Sequence, residues 1–265
     1  MLEPEAGTVE RWAWDYVHTT SLESKLTPPP VPDRWEDAPP PRRLLRPGRP
    51  AQLRAVDRAP RRRGLSTPSG RARALHTFLH HELQAAELMA WALLAFPETP
   101  RELRAGLVRI ALDEARHMRM YARQIERLGC SVGDFEVRDW FWERVPTCPD
   151  AASFVATMGL GLESANLDHA TAFAARFRAA GDEESARVQE LVGLEEIAHV
   201  RFGARWFARL TGALDFDRWR QALPSPLTPM LMRGRPFERA ARERAGLPAA
   251  FLDRLDAWPL PAPGS

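Results

Sequence analysis

The sequence predicts an all-α protein: a four-helix bundle with a long crossover between helices two and three, a proline-rich N-terminal arm and a C-terminal capping segment. Three observations predict it. Apolar residues recur at three- and four-residue steps over four long segments. Glycine or proline ends each segment. Only the link between the second and third segments is long. We therefore divide the chain into an arm (1–70), a bundle (71–212) and a capping tail (213–265).

The arm is rich in proline, with runs at 28–30 and 39–41. Proline has no backbone N–H and cannot join regular ladders, so we expect extended, irregular backbone. Large apolar side chains are nevertheless frequent here, which is unusual for a free linker. They are Trp12, Trp14, Tyr16, Leu22 and Trp35. We expect the arm to pack against the body.

Charge is unevenly distributed. Residues 42–73 contain eleven arginines and one acid, Asp57, so this segment carries a formal +10 and the remaining chain about −8. Such a basic segment can bind nucleic acid, or it can fold back onto its own acidic domain. The arginines are not interleaved with the aromatic residues that a single-strand stacking surface needs. This favours the intramolecular interpretation.

Residues that favour helix starts and ends delimit the first two helices. The first is expected over about 71–96, followed by a proline. The second begins with Thr99 as cap, Pro100 at the first helical position and Glu102 three residues after the cap, which is a capping box. It ends at Gly129, where a left-handed residue is expected.

The third helix is expected over about 150–180 and stops at Gly181; the fourth is expected to start after Asp182 and to stop at Gly212. An aromatic link of about twenty residues precedes the third helix, whereas the other links are short. This is the ferritin-like way of connecting a four-helix bundle. The proline-punctuated tail predicts one short helix around 236–255 that caps the bundle.

One helical segment occurs twice. The run from Leu112 to Leu128 realigns onto the run from Leu194 to Leu210, and each copy holds a glutamate and a histidine three residues apart. Another helical glutamate precedes each copy by almost the same interval. The predicted metal ligands are Glu82, Glu114 and His117 in the first half and Glu163, Glu196 and His199 in the second.

Residues at i and i+3 share a helix face, so each glutamate–histidine pair can bind one ion. Two helices giving one glutamate each and two giving Glu-x-x-His form the dinuclear site of ferritin-like proteins. Carboxylates with imidazole suit Fe(II) or Mn(II) better than a structural zinc, and we expect two iron ions, with manganese as the alternative. A single Glu-x-x-His is usually solvated surface. Two copies in register are much harder to obtain by chance.

Four more acids lie beside these ligands. Glu87 is an alternative to Glu82, but the repeat favours Glu82 and aligns Glu87 with Asp168; both are then acids that support the ligands or face solvent. Asp113 and Glu195 each precede a ligand glutamate. They are candidates to accept the free ring proton of a ligand histidine, or they belong to a solvated helix face.

The repeat breaks at Tyr121, which corresponds to Gly203. Tyr121 is therefore a candidate to gate the site or relay an electron or proton; the alternative is a core side chain. His80, His81 and His169 also lie close in sequence to the site acids and are interpreted as neighbours rather than ligands.

These residues resemble the DUF455 family of ferritin-like proteins. The similar runs are His80–Leu88, Asp113–Met118, Gly161–His169 and Glu195–Val200, together with Pro47–Pro50 and the segment Pro236–Gly246. The resemblance implies a ferritin-like bundle and a metal site, without a known reaction. The run Asp113–His117 is also similar to the D-E-x-R-H run of bacterial di-iron monooxygenases, which favours oxygen chemistry.

We therefore expect an O2-dependent oxidoreductase that oxidises or hydroxylates an organic substrate with an external electron donor. A modified tRNA base is one substrate class, because the arginine segment could bind phosphate. The alternative is iron handling or peroxide scavenging, although a long arm and tail would obstruct cage packing. A metal-free scaffold is the third class. Without a spanning segment, a basic leader or a CxxC pair, the chain is expected to be cytoplasmic and not membrane-bound.

Overall fold

The computed structural model describes residues 2–58 and 64–259. Within them regular structure is helical, without a β-strand, apart from one isolated parallel bridge between Ala55 and Val137. The all-α prediction is confirmed. None of the described helices combines the length and apolar character needed to cross a bilayer. Arginines 61–63 of the basic segment lie outside the described residues.

The chain divides into two compact units, Met1–Pro146 and Thr147–Ser265. The division falls within a 3₁₀ turn, Val145–Thr147. Each unit contains one terminal extension and one long helical hairpin. The predicted bundle spans this division, and the boundaries drawn from the sequence stay a prediction.

The first unit is built on two long helices that pack along each other. The second of its two short helices follows the first after a three-residue link. The helices are α1 (Val9–His18), α2 (Leu22–Leu26), α3 (Pro68–Ala95) and α4 (Arg101–Arg127). Most of α3 is buried, so this helix forms the centre of the unit.

The arm differs from the extended backbone expected for it, because α1 and α2 are helical. Thr8 caps α1 by accepting the N–H of Arg11 at 3.1 Å. The buried face of α1 includes Trp12, Tyr16 and Val17, which recur at helical spacing and pack against α3. The surrounding prolines conceal this periodicity in the sequence.

The predicted capping box of α4 is wrong. The N-cap is Pro100, and no side chain caps the helix. The Thr99 hydroxyl instead donates to the carbonyl of Phe96 at 2.7 Å, closing the turn after α3. The predicted end of α4 is confirmed, because Gly129 follows it with φ of +78°.

The second unit is a second hairpin followed by a helical tail. The first helical segment of this hairpin is continuous and consists of α5 (Ala151–Val155), a π-helix (Ala156–Leu162) and α6 (Glu163–Ala179). The second helix of the hairpin is α7 (Glu183–Thr211). As predicted, it starts after Asp182 and is ended by Gly212, which has φ of +87°. The sequence predicted one uninterrupted α-helix over the first helical segment and did not indicate the π-helix.

The tail contains more helix than the single element expected. It comprises α8 (Phe216–Ala222), a 3₁₀ turn (Pro229–Met232), α9 (Arg239–Arg244) and α10 (Ala249–Asp256). Trp219 of α8 and Phe251 of α10 are buried with ring centroids 5.5 Å apart. The tail therefore has a small aromatic core of its own.

The π-helix and α7 meet at two glycines. A Cβ atom built on Gly203 would lie 2.5 Å from the carbonyl carbon of Gly159, so neither position has room for a side chain. The repeat aligns Gly159 with Phe78 and Gly203 with Tyr121. In the first unit this pair of rings packs with centroids 5.9 Å apart. The same contact is thus made by two large side chains in one hairpin and by bare backbone in the other.

Candidate functional site

The first unit brings its three predicted ligands together. Glu82 of α3 and Glu114 and His117 of α4 each offer a ligand atom, and these atoms lie within 4.8 Å of one another. His117 Nδ1 is 3.0 Å from Glu114 Oε2, because residues three apart on a helix share a face. All three side chains are buried.

The second unit repeats this cluster. Glu163 is the first residue of α6, and Glu196 and His199 lie on α7; their ligand atoms are also within 4.8 Å of one another. His199 Nδ1 is 3.0 Å from Glu196 Oε2 and 4.0 Å from Glu163 Oε2. All three side chains are again buried.

The donor atoms of each cluster fit a divalent metal ion. Two ligands at right angles, each about 2.1 Å from a first-row dication, are about 3.0 Å apart. This matches the Nδ1–Oε2 separation in both clusters. The two carboxylates of each cluster also balance the charge of one dication. Oxygen and imidazole donors in this proportion suit Fe(II) or Mn(II).

The comparison with protein families agrees with the sequence resemblance. The family model described as "Protein of unknown function (DUF455)" matches residues 8–253. The chain belongs to this family. The match covers both clusters, both hairpins and most of each terminal extension.

A relative of this DUF455 chain is an "Uncharacterized protein" of Haemophilus influenzae (strain ATCC 51907 / DSM 11121 / KW20 / Rd). It is 27% identical over 164 residues, which is 59% of this chain and 57% of the relative. The matched region therefore spans little more than half the length of that relative. No solved structure matches the chain.

In the DUF455 chain, Glu87 is held by the N-terminal extension. Its carboxylate pairs with the Lys25 ammonium at 2.8 Å and with the Arg49 guanidinium, and it accepts the Trp142 indole N–H at 2.8 Å. Burial raises the pKa of Glu87, but the two cations outweigh it, so the pKa lies below its ordinary value. Lys25 is the chain's single lysine and is fully buried. Glu87 is thus an anchor for the arm rather than a surface acid.

Asp168 has the same place in the second unit. Its carboxylate forms a bidentate pair with Arg242 of α9, with distances of 2.6 and 2.9 Å, and accepts two backbone N–H groups of the tail. Both side chains are fully buried. The repeat aligned Glu87 with Asp168, and each of these buried acids forms ion pairs with a terminal extension: Glu87 with the arm and Asp168 with the tail. The sequence did not indicate these partners.

The remaining predicted acids lie toward solvent. The Asp113 side chain is 45% exposed and pairs with Arg116 at 3.3 Å. Glu195 is partly exposed on α7. Their role as acceptors of a ring proton stays a prediction.

Two buried tyrosines, the only tyrosines of the chain, lie in the first unit. Tyr121 packs on Phe78, as described above, and its relay role stays a prediction. Tyr16 was missed. Burial raises the pKa of Tyr16 well above its ordinary value, and the Glu87 and Glu114 carboxylates raise it further. The helical spacing of Trp12 and Tyr16, whose rings stack at 5.5 Å, was the available signal.

Sequence reasoning also missed a hydrogen-bond donor in the second cluster. The Asn166 amide donates to Glu196 Oε1 at 3.0 Å. Asn166 lies three residues after Glu163 and so shares its helix face, which was visible in the sequence. The equivalent residue of the first half is Ala85, so the two clusters differ here.

Several arginines of the basic segment contact the chain's own acids. Arg42 pairs with Glu36 at 2.6 Å, both buried, and Arg49 pairs with Glu87 and with Asp139. Asp139 also accepts from His80 Nε2 at 3.0 Å when that nitrogen is protonated. These contacts support the intramolecular interpretation for Arg42 and Arg49. An RNA contact elsewhere in residues 42–73 stays a prediction.

Proposed function

We propose that this DUF455 chain is a di-iron, or alternatively di-manganese, O2-dependent oxidoreductase that oxidises or hydroxylates an organic substrate. The proposal is carried by one observation: the same buried set of two glutamates and a histidine occurs once in each unit, with matching donor separations. We further propose that the two hairpins assemble as a ferritin-like four-helix bundle, which would join the clusters into one dinuclear centre.

The ligand chemistry supports one shared centre. Each cluster supplies three protein ligands, fewer than the six donors that a hard first-row dication prefers. Carboxylates can bridge two ions and complete both coordination shells. Four carboxylates also balance two dications. The internal repeat supplies the two halves in equivalent positions, as a bundle with pseudo-twofold symmetry requires.

Two ferrous ions held by these residues would supply electrons to reduce O2. For a hydroxylation, the substrate C–H bond becomes C–OH with one oxygen atom, and the other oxygen leaves as water. The balance takes two electrons and two protons in all; the two electrons are those that the ferrous ions would supply, so an external electron donor is needed to restore them after each turnover. The chain's own residues would bind and orient. The histidines and glutamates would fix the ions, and Phe78, Met89 and Tyr121, which are buried in the same unit, would keep water from the first cluster.

An anaerobic Fe(II) titration followed by O2 tests this proposal. We expect iron uptake to saturate at two ions per chain, and oxygen to produce near-ultraviolet absorption that decays when a reductant is added. The Glu114→Ala variant should lose uptake and absorption. Arg116→Ala, which removes a partly exposed neighbour on the same helix, is the matched control.

The alternatives give different results. Uptake far beyond two ions, with mineral formation, would establish iron storage in place of substrate oxidation. Uptake that Glu114→Ala leaves unchanged would contradict the metal centre. For the substrate, RNA binding that persists when the arginines of residues 42–58 are replaced would exclude these arginines as its phosphate contacts.

A further inference from the structure

Glu163 lies at an irregular point of its helix. The π-helix ends at Leu162, and the Glu163 N–H bonds to the carbonyl of Met158, five residues earlier, rather than to the residue four earlier. The other α-helical ligands lie inside continuous α-helix. A π-helix is rare compared with an α-helix, occurs mostly as a short segment inside one, and is frequent at functional sites. The backbone that leads into Glu163 is therefore not regular α-helix.

Arg242 contacts the next residue along. Its Nε donates to the Ser164 hydroxyl at 3.0 Å and its Nη2 to the Ser164 carbonyl at 2.9 Å. The same guanidinium forms the bidentate pair with Asp168, one turn further along α6. A planar fork with five donors can make these contacts at once, which an ammonium cannot. Arg242 thus holds α6 at two points, Ser164 in the first turn and Asp168 in the second.

The tail holds Arg242 equally firmly. The Met232 carbonyl accepts from its Nη2 at 2.6 Å, and the Phe237 ring lies 4.5 Å from the guanidinium carbon. Arg242 and Ser164 are fully buried. If the buried Arg242 side chain moved, several charge-assisted hydrogen bonds would be lost in a site of low dielectric constant. Arg242 therefore holds the tail and α6 in a fixed relative position.

The first half differs at the equivalent position. The residue that aligns with Ser164 is Leu83, which offers no hydroxyl, and α3 is regular α-helix around Glu82. The cations Lys25 and Arg49 meet Glu87 instead. The contact of Arg242 with Ser164, the residue after Glu163, therefore occurs in the half that contains the π-helix.

We propose that Arg242 is a positioning residue for Glu163: it holds the first turn of α6 so that the Glu163 carboxylate stays in the second metal cluster. The inference rests on the proposed metal centre. It assigns a role at that centre to the C-terminal tail, which contributes no metal ligand of its own to the predicted set.

The test is Mn(II) binding to the full-length metal-free chain, with free Mn(II) followed by electron paramagnetic resonance. Arg242→Lys keeps a positive charge beside Asp168 but cannot also bind Ser164. We expect one of two binding steps to weaken about tenfold to a hundredfold, the range typical for residues that orient metal ligands, with the other step unchanged. A purely structural role would lower the thermal stability of the metal-free chain without separating the two steps.

Arg42→Lys is the matched control, because Arg42 is a buried arginine in a bidentate pair with Glu36 and belongs to the other extension. It should leave both binding steps unchanged. Equal Mn(II) affinities for Arg242→Lys and Arg42→Lys would overturn the proposal. If Arg242→Lys does not fold, Arg242→Met with Asp168→Asn removes both charges together and is measured in its place.

Glu163→Ala distinguishes a failure of the proposed metal centre from a failure of the positioning role of Arg242. If Glu163→Ala leaves Mn(II) binding unchanged, the proposed metal centre fails and this inference fails with it. If Glu163→Ala weakens binding and the Arg242 variants do not, only the positioning role of Arg242 is wrong.

Discussion

Each histidine predicted as a ligand lies 3.0 Å from the glutamate three positions before it, and this spacing is visible in the sequence. The sequence therefore predicted the members of both clusters, which the structure brings together within each unit. It could not predict the contact of Arg49 with Asp139, because 90 residues separate them. Side-chain pairs within one helix follow from the helical repeat, whereas pairs between distant segments depend on the tertiary fold.

Asn166 gives a prediction for the second cluster. Replacing it by alanine reproduces the first half, where Ala85 stands, and removes the hydrogen bond to Glu196. Hydrogen bonds to charged groups contribute about 1.5–3 kcal/mol, so we expect one Mn(II) binding step to weaken by about tenfold or more. Thr171→Ala is the control: it removes a hydroxyl of α6 that donates to the Leu167 carbonyl, and it should have no effect on Mn(II) binding. Identical titrations for both variants would remove Asn166 from the site.

His76 predicts a pH dependence of stability. It is buried in the first unit, and its Nε2 accepts the Gly133 N–H at 2.9 Å. Burial, followed by the nearby His80, lowers the pKa of His76 to about 4, with Asp134 opposing and Arg73 reinforcing the shift. The unfolded chain therefore binds this proton first as pH falls, so stability is lost between about pH 6.5 and pH 4.

His76→Gln keeps an acceptor for Gly133 but does not titrate. We expect the variant to lose about 2 kcal/mol less free energy of unfolding than the parent protein between pH 7 and pH 4.5, measured by denaturant titration. Parallel pH profiles for the two proteins would show that His76 does not contribute.

At the scale of elements, the sequence predicted where the long helices end. It did not always predict the type of helix or the presence of a short one. Gly129, Gly181 and Gly212 end helices with positive φ, as their positions in the pattern indicated. The π-helix Ala156–Leu162 has the same apolar periodicity as an α-helix over so short a segment, so the pattern could not distinguish them. The helix α1 was concealed by the proline content around it.

The contact between the π-helix and α7 gives an element-scale prediction. Gly203→Ala gains about 1 kcal/mol of helix propensity, but the new Cβ would lie 2.5 Å from the Gly159 carbonyl, which cannot rotate away. Overpacking typically costs about 1–3 kcal/mol, and rigid backbone places this case at the upper end. We expect a net loss of about 2 kcal/mol in the free energy of unfolding, measured by denaturant titration.

Gly64→Ala is the control for this variant, because its Cβ would meet only the Ser66 hydroxyl, at 3.9 Å. It should change stability by less than about 0.5 kcal/mol. A Gly203→Ala protein as stable as this control would show that α7 and the π-helix do not approach so closely.

At the scale of the whole molecule, the internal repeat organises both units. Each has a helical hairpin, a cluster of two glutamates and one histidine, and a buried acid that anchors a terminal extension: Glu87 for the arm and Asp168 for the tail. The repeat in the sequence predicted the clusters and the alignment of the two acids. The cations that neutralise these acids come from segments without a repeat, and the sequence pattern gave no signal for them.

The central claim is that the two clusters form one dinuclear centre. The most direct test is the electron paramagnetic resonance spectrum of the metal-free chain loaded with two equivalents of Mn(II). Two ions bridged by carboxylates are magnetically coupled, so the account predicts a coupled spectrum and the loss of the isolated-ion hyperfine pattern. Two bound ions that retain the spectrum of isolated Mn(II), or binding of fewer than two, would contradict it.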